Sequence, residues 1–252
     1  MMKRFAISVA VSIALGVLVL PLALPTPAPA ARPRAGRADA LQHTIWWVEL
    51  RAKGQKPMPD ALVFEQGKFD SLGCHAFGFG SAPYEAKAAG KAVVFQAMTK
   101  SAGGETMAWK GKAEGNSISG TMVWKKAKGG PMEVAFFGKR HTAEGALDAT
   151  DWKVTLNTEG EKPVPDTLVF GEGEFDSKAC HAYGFGKGPY NAMKNAGETT
   201  FTAFTTSSTE GTMEWRGEVK GDKIAGAMTL YPMKGGPKKY TFSGTKGMAR
   251  PR

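Results

Sequence analysis

Cysteine is almost missing from this chain. Two residues in 252 are too few for a disulfide scaffold or a four-thiolate metal site. Histidine occurs only four times, which narrows the metal and proton-transfer chemistry within reach. After residue 30 no apolar run is long enough to span a bilayer, and no stretch shows a convincing helical period. What is plentiful points to a different kind of molecule. Apolar residues make up 42% of the chain, enough for a packed core, which excludes disorder for its bulk. Glycine (32) and proline (15) favour many short strands joined by turns.

Residues 1–30 read as a secretory signal peptide. Lys3 and Arg4 supply a positive start, Phe5 to Leu24 form an apolar run, and Ala28-Pro29-Ala30 offers a small-x-small cleavage pattern. Pro21, Pro25, Pro27 and Pro29 argue against an uninterrupted membrane anchor there. The expectation is a periplasmic or extracellular protein with no membrane span once the signal is cleaved. Cleavage leaves 31 basic and 23 acidic residues, a net charge of +8. Much of that sits in a flexible basic leader (31–43), with Arg32, Arg34 and Arg37, and a basic tail (247–252), with Arg250 and Arg252. Setting those five and Asp39 aside leaves 26 bases and 22 acids, or +4. Such a charge fits weak affinity for anionic surfaces rather than a nucleic-acid partner.

The dominant feature is an internal duplication. Residues 44–140 slide onto 150–246 with a constant offset of 106 and no gap, and 43 of the 97 aligned positions are identical. Pro59-Asp60 matches Pro165-Asp166, Phe69-Asp70-Ser71 matches Phe175-Asp176-Ser177, and Gly129-Gly130-Pro131 matches Gly235-Gly236-Pro237. The linker His141–Ala149 carries no strong pattern. Within each copy apolar residues alternate with period two, as in a sheet with one buried face. Met213, Trp215, Gly217 and Val219 share one parity, and Thr212, Glu214, Arg216 and Glu218 the other. Gly115-Asn116 and Gly221-Asp222 mark two-residue hairpins. The pattern predicts an all-β protein of two tandem antiparallel meander barrels, each of seven or eight strands, with a β-sandwich as the alternative. Gly111, Gly120 and Gly138 fall on inward parity, where a strand can coil sharply. Trp46, Phe64, Phe69, Phe95, Trp109, Trp124 and Phe136 should fill the first interior, which moves any ligand site to a rim or between the domains.

Trp46-x-Val48, Trp109-x-Gly111, Gly115-Asn116-x-Ile118-x-Gly120 and Phe136-x-Gly138 resemble small lipocalin-like (calycin-type) barrel domains. The run Phe69-x-Ser71-x-x-Cys74-x-x-Phe77-Gly78-Phe79 and its copy ending Tyr183-Gly184-Phe185 resemble an uncharacterised domain of exported bacterial proteins. The resemblance implies a barrel and, for lipocalin-like folds, small hydrophobic ligands. It brings no catalytic residue.

The densest motif is Cys74-His75-Ala76-Phe77-Gly78-Phe79-Gly80 with Pro83-Tyr84, repeated as Cys180-His181-Ala182-Tyr183-Gly184-Phe185-Gly186 with Pro189-Tyr190. Glycine at this density marks a shaped loop. Its cysteines and aromatics either plug one barrel end or form a binding site of Cys74, His75, Phe77, Phe79, Tyr84, Cys180, His181, Tyr183, Phe185 and Tyr190. Adjacent Cys and His side chains point apart, so they make a poor catalytic dyad. A metal would need Cys74, His75, Cys180 and His181 to converge from both copies. Small and aromatic neighbours suit two separate, buried thiols. The reading is a non-enzymatic, cofactor-free protein that binds a small molecule or a partner protein. The rival is a thiol-dependent redox or metal-handling protein.

Overall fold

The computed structural model describes residues 38–142 and 144–247. The expected signal peptide (1–30), leader positions 31–37 and tail positions 248–252 lie outside the described residues. The first copy forms β1 (Thr44–Ala52), β2 (Met58–Glu65), β3 (Lys68–Ser71), β4 (Ala82–Ala89), β5 (Ala92–Lys100), β6 (Thr106–Glu114), β7 (Ser117–Lys125) and β8 (Met132–Arg140). The second forms β9 (Thr150–Asn157), β10 (Val164–Gly171), β11 (Glu174–Ser177), β12 (Gly188–Asn195), β13 (Glu198–Ser207), β14 (Gly211–Lys220), β15 (Lys223–Pro232) and β16 (Lys238–Lys246). Each set is an antiparallel meander that closes on itself into an eight-stranded barrel, not a sandwich. Closure pairs Leu50 with Phe136 and, 106 residues on, Leu156 with Phe242.

Inward parity builds the cores. Phe64, Phe69, Phe95, Trp109 and Phe136 are fully buried and meet edge-on or tilted, with centroids 5.0–6.3 Å apart. Phe170, Phe175, Phe201, Trp215 and Phe242 repeat this cluster. Each such ring contributes about 1.5–3 kcal/mol on burial. Gly111 and Gly120 face each other across β6 and β7, and a Cβ on either would strike the Phe95 or Phe136 ring. Here glycine makes room for aromatic bulk inside the barrel. Of the seven expected inward residues, only Trp124 departs: it is half-buried at the barrel mouth. The outer faces carry charge, as in Glu85, Lys87, Lys110, Lys112, Glu214 and Arg216, the reverse of a lipid-facing barrel.

Two outer faces are exceptions. Trp47, Ala61 and Leu72 on the first barrel pack against Phe204 on β13, with Trp47 stacked on Phe204 at 5.7 Å. Trp47 Nε1–H donates to His141 Nδ1 at 3.2 Å, and burial holds the His141 pKa below its ordinary value, favouring that neutral acceptor. This contact is head to tail, because it joins different faces of the two copies. The positions equivalent to Trp47, Ala61 and Leu72 are Lys153, Thr167 and Lys178, and the Phe204 position is Met98, 53% exposed.

Candidate functional site

The duplicated motif folds as a short 3-10 turn, Leu72–Phe77 in the first barrel and Ala179–Tyr183 in the second. Gly78 and Gly184 end the turns at φ 77° and 76°, a left-handed backbone that glycine adopts without a Cβ penalty. What fixes each turn is a buried aspartate on the neighbouring strand. Asp60 accepts from Gly73 N–H at 2.6 Å, from Ala61 N–H at 2.7 Å and from the Ser71 hydroxyl. Asp166 accepts from Ala179 N–H at 2.8 Å, Thr167 N–H at 2.6 Å and the Ser177 hydroxyl at 2.6 Å. Complete burial nevertheless pushes the Asp60 carboxyl up to about 7, against those three donors and the charge of His75. These aspartates are the structural anchors of the motif, which spacing alone did not single out. The signal was present in the repeated Pro-Asp of both copies.

The turn buries some of the expected site residues and turns others outward. Cys74 and Cys180 lie in the two separate cores as free thiols. Burial raises the Cys74 pKa well above its usual value and that of Cys180 to about 11, so neither is a reactive thiolate near neutral pH. Phe79 and Phe185 are the plugs, both 3% exposed, whereas Phe77 and Tyr183 are 43% and 64% exposed. The histidines also point outward. His75 Nε2–H donates to Asp70 at 2.7 Å, and its Nδ1 meets the Thr212 hydroxyl of the second barrel. Burial disfavours its charged form, yet the hydrogen bond and charge of Asp70, with the charge of Asp60, leave its pKa raised. His181 Nε2–H donates to Asp176 at 2.6 Å, which also binds Lys178 at 2.6 Å. Burial alone would raise the Asp176 pKa; the hydrogen bonds from Lys178 and His181 bring it below the usual value. Among the described residues no three His, Cys, Asp or Glu side chains gather as metal ligands.

The tyrosines belong to the opposite end of each barrel from the cysteine turns. Tyr84 packs edge-on against Phe64 at 5.1 Å. Tyr190 is buried, donates to Asp148 at 2.7 Å and accepts from Leu147 N–H at 3.2 Å. Linker residue Leu147 thereby caps the second barrel, as Leu41 caps the first. Thr44 and Thr150 donate to the Leu41 and Leu147 carbonyls at 2.5 and 2.6 Å. The structural repeat therefore includes Leu41 and Leu147, which precede the aligned segments. A single leucine carries no periodicity, which is why alternation did not reveal it.

Two hollows stand out. One, of about 190 Å³, opens at the first barrel's mouth beside Cys74, Phe77 and Trp124. It is smaller than the ligand pockets of about 300 Å³ and above that proteins ordinarily use. The other, of about 960 Å³, is a groove between the barrels. Trp47, Phe137 and Lys139 border it on one side, and Asn191, Met193 and Thr202 on the other.

No protein-family model and no curated protein sequence matches the chain. Among solved structures it is similar to one from Bacteroides fragilis described as a "putative outer membrane protein", at 8% identity and TM-score 0.25. That match covers 82% of this chain and 98% of the other, and at that score it carries no argument about fold or function.

Proposed function

We propose that this is an exported, non-enzymatic binding protein whose ligand is a small organic molecule seated in the groove between the barrels. The groove's size carries the reading. At about 960 Å³ it lies at the upper end of the range for small-molecule sites. Its walls mix exposed apolar side chains, Phe137 and Met193, with Lys139, Asn191 and Thr202, which suits a molecule with both apolar and polar parts. The crowded aromatic cores support a site outside the barrels. The titratable groups of the Cys-His motifs support a non-catalytic role, since Asp60, Asp166 and their serines hold the turns. Export rests on residues 1–30. A partner protein is the second reading, favoured by the exposure of Phe137 and Met193.

Native mass spectrometry of the protein recovered from its exported fraction tests the proposal. The wild type should carry a small-molecule adduct that Phe137→Glu/Met193→Glu loses while keeping its β-rich spectrum. A bare wild-type mass, or an adduct retained by that variant, would sink the reading.

A further inference from the structure

The small hollow at the first barrel's mouth has an unusual lining. Met58 from β2, Met107 from β6, Met122 from β7, Met132 from β8 and Cys74 from the turn all border the same 190 Å³. Four of the chain's 12 methionines thus converge from four strands on one space. Methionine commonly serves as a flexible filler of core gaps, but these four surround a gap that stays open. The second barrel shows the contrast. Met213, Met228 and Cys180 keep their places, while Met58 and Met132 are replaced by Val164 and Lys238, and Val134 by Tyr240. Tyr240 and Leu230 pack against that core.

The structure assigns to the first barrel's mouth, we infer, a binding site for a soft monovalent metal cation, Cu(I) or its analogue Ag(I), held by the thioethers of Met58, Met107, Met122 and Met132. Thioether sulfur is a soft donor that selects such ions over hard or borderline divalent ones. No carboxylate lines the hollow, and its rim carries Lys56 and Lys126. A site that held its ion by charge would have the opposite rim, so sulfur donation must supply the affinity. The ligands are ready to bind, because Met58 and Met132 are only half-buried and Met132 Sδ merely accepts a long contact of 3.7 Å from the exposed Gln55 amide. Cys74 borders the site, and ligation by thioethers alone releases no proton. This inference does not depend on the groove between the barrels.

Anaerobic titration of the untagged protein with Cu(I), in competition with a chromophoric Cu(I) chelator, tests it, with Ag(I) as a second probe. One equivalent should bind per chain. Met58→Leu/Met132→Leu should weaken that binding by at least about tenfold, since leucine conserves volume but offers no donor. A control in the second barrel, Met213→Leu/Met228→Leu at the positions of Met107 and Met122, should leave it unchanged. Cys74→Ser should bind within about threefold of wild type, and affinity should hold from about pH 7 to about pH 5, because thioethers do not titrate. Absence of stoichiometric binding, or undiminished affinity in Met58→Leu/Met132→Leu, would overturn the proposal. So would loss of the ion in Cys74→Ser, which signals thiolate ligation, or a collapse of affinity toward pH 5, which signals imidazole.

Discussion

The two barrels were written from one template and now differ where they meet their surroundings. Their cores are nearly interchangeable, ring for ring, from Phe64 and Phe170 to Phe136 and Phe242. Their outer faces are not. The first barrel presents Trp47, Ala61 and Leu72 where the second presents Lys153, Thr167 and Lys178. Their mouths differ as well, one open and lined with sulfur, the other packed with Tyr240 and Leu230. The lesson is that barrel closure constrains inward positions tightly, while outward positions are free to acquire separate tasks.

Paired substitutions can break this comparison, and the largest effect is expected at the contact face. Trp47→Ala removes a buried ring stacked on Phe204 and should cost about 3–5 kcal/mol. The equivalent Lys153→Ala, on an open surface, should stay within about 0.5 kcal/mol. Calorimetry should show one unfolding transition in wild type resolving into two in Trp47→Ala; equal effects of the pair would mean that the faces are equivalent after all.

Next come the buried aspartates. Asp60→Ala and Asp166→Ala each strand two backbone N–H groups and a serine hydroxyl, and each should cost about 1–3 kcal/mol or more. Thiol labelling under native conditions gives the site-specific readout. Asp60→Ala should expose Cys74 alone and Asp166→Ala Cys180 alone. Labelling of both thiols in either variant would show that the turns are not independent.

The pH response sharpens the contrast further. Asp60, raised to about 7, binds a proton in the folded state that the unfolded chain has already released, so stability falls as pH rises through that range. His75, whose pKa is also raised, loses its contribution in the same direction. Asp176 has a lowered pKa, so its contribution is present above the usual carboxylate range and disappears in acid. The urea midpoint should therefore fall as pH rises from about 4 to about 7. Asp60→Asn should abolish most of that fall; a fall that persists undiminished in Asp60→Asn would refute the assignment.

The smallest expected difference lies at one hydrogen bond. Trp215 Nε1–H donates to the Thr205 hydroxyl at 3.4 Å, whereas Trp109 Nε1 and the Thr99 hydroxyl are buried without a partner among the described residues. Thr205→Val should cost about 1 kcal/mol and Thr99→Val close to none. Equal midpoint shifts in urea would show that the indole bond contributes nothing.

How far the sequence discloses all this follows from the physics of each feature. Period-two alternation and a constant offset are local or one-dimensional, so the barrels, their hairpins at Gly115 and Gly221 and most of the core could be read directly. The barrel-to-barrel face could have been suspected from Trp47, a large aromatic on outward parity beside inward Trp46 and Val48. Its partner Phe204 could not, because nothing local distinguishes a surface covered by another domain from one facing water. The sulfur-lined mouth is harder still. Met58, Met107, Met122 and Met132 are far apart in the chain, and only closure brings them together. The Cys-His motif drew attention through its density, but its order comes from Asp60 on β2 and Asp166 on β10.

The head-to-tail contact has a further consequence for assembly. Unlike faces do not satisfy each other within a pair, so a uniform array built on such a contact would close into a ring or add units as an open filament. Lys153 and Lys178 stand on the second barrel where the first carries Trp47 and Leu72, and charge there disfavours docking of a further unit in the same way. Divergence after duplication has thus removed from the second barrel the apolar face by which the first one docks.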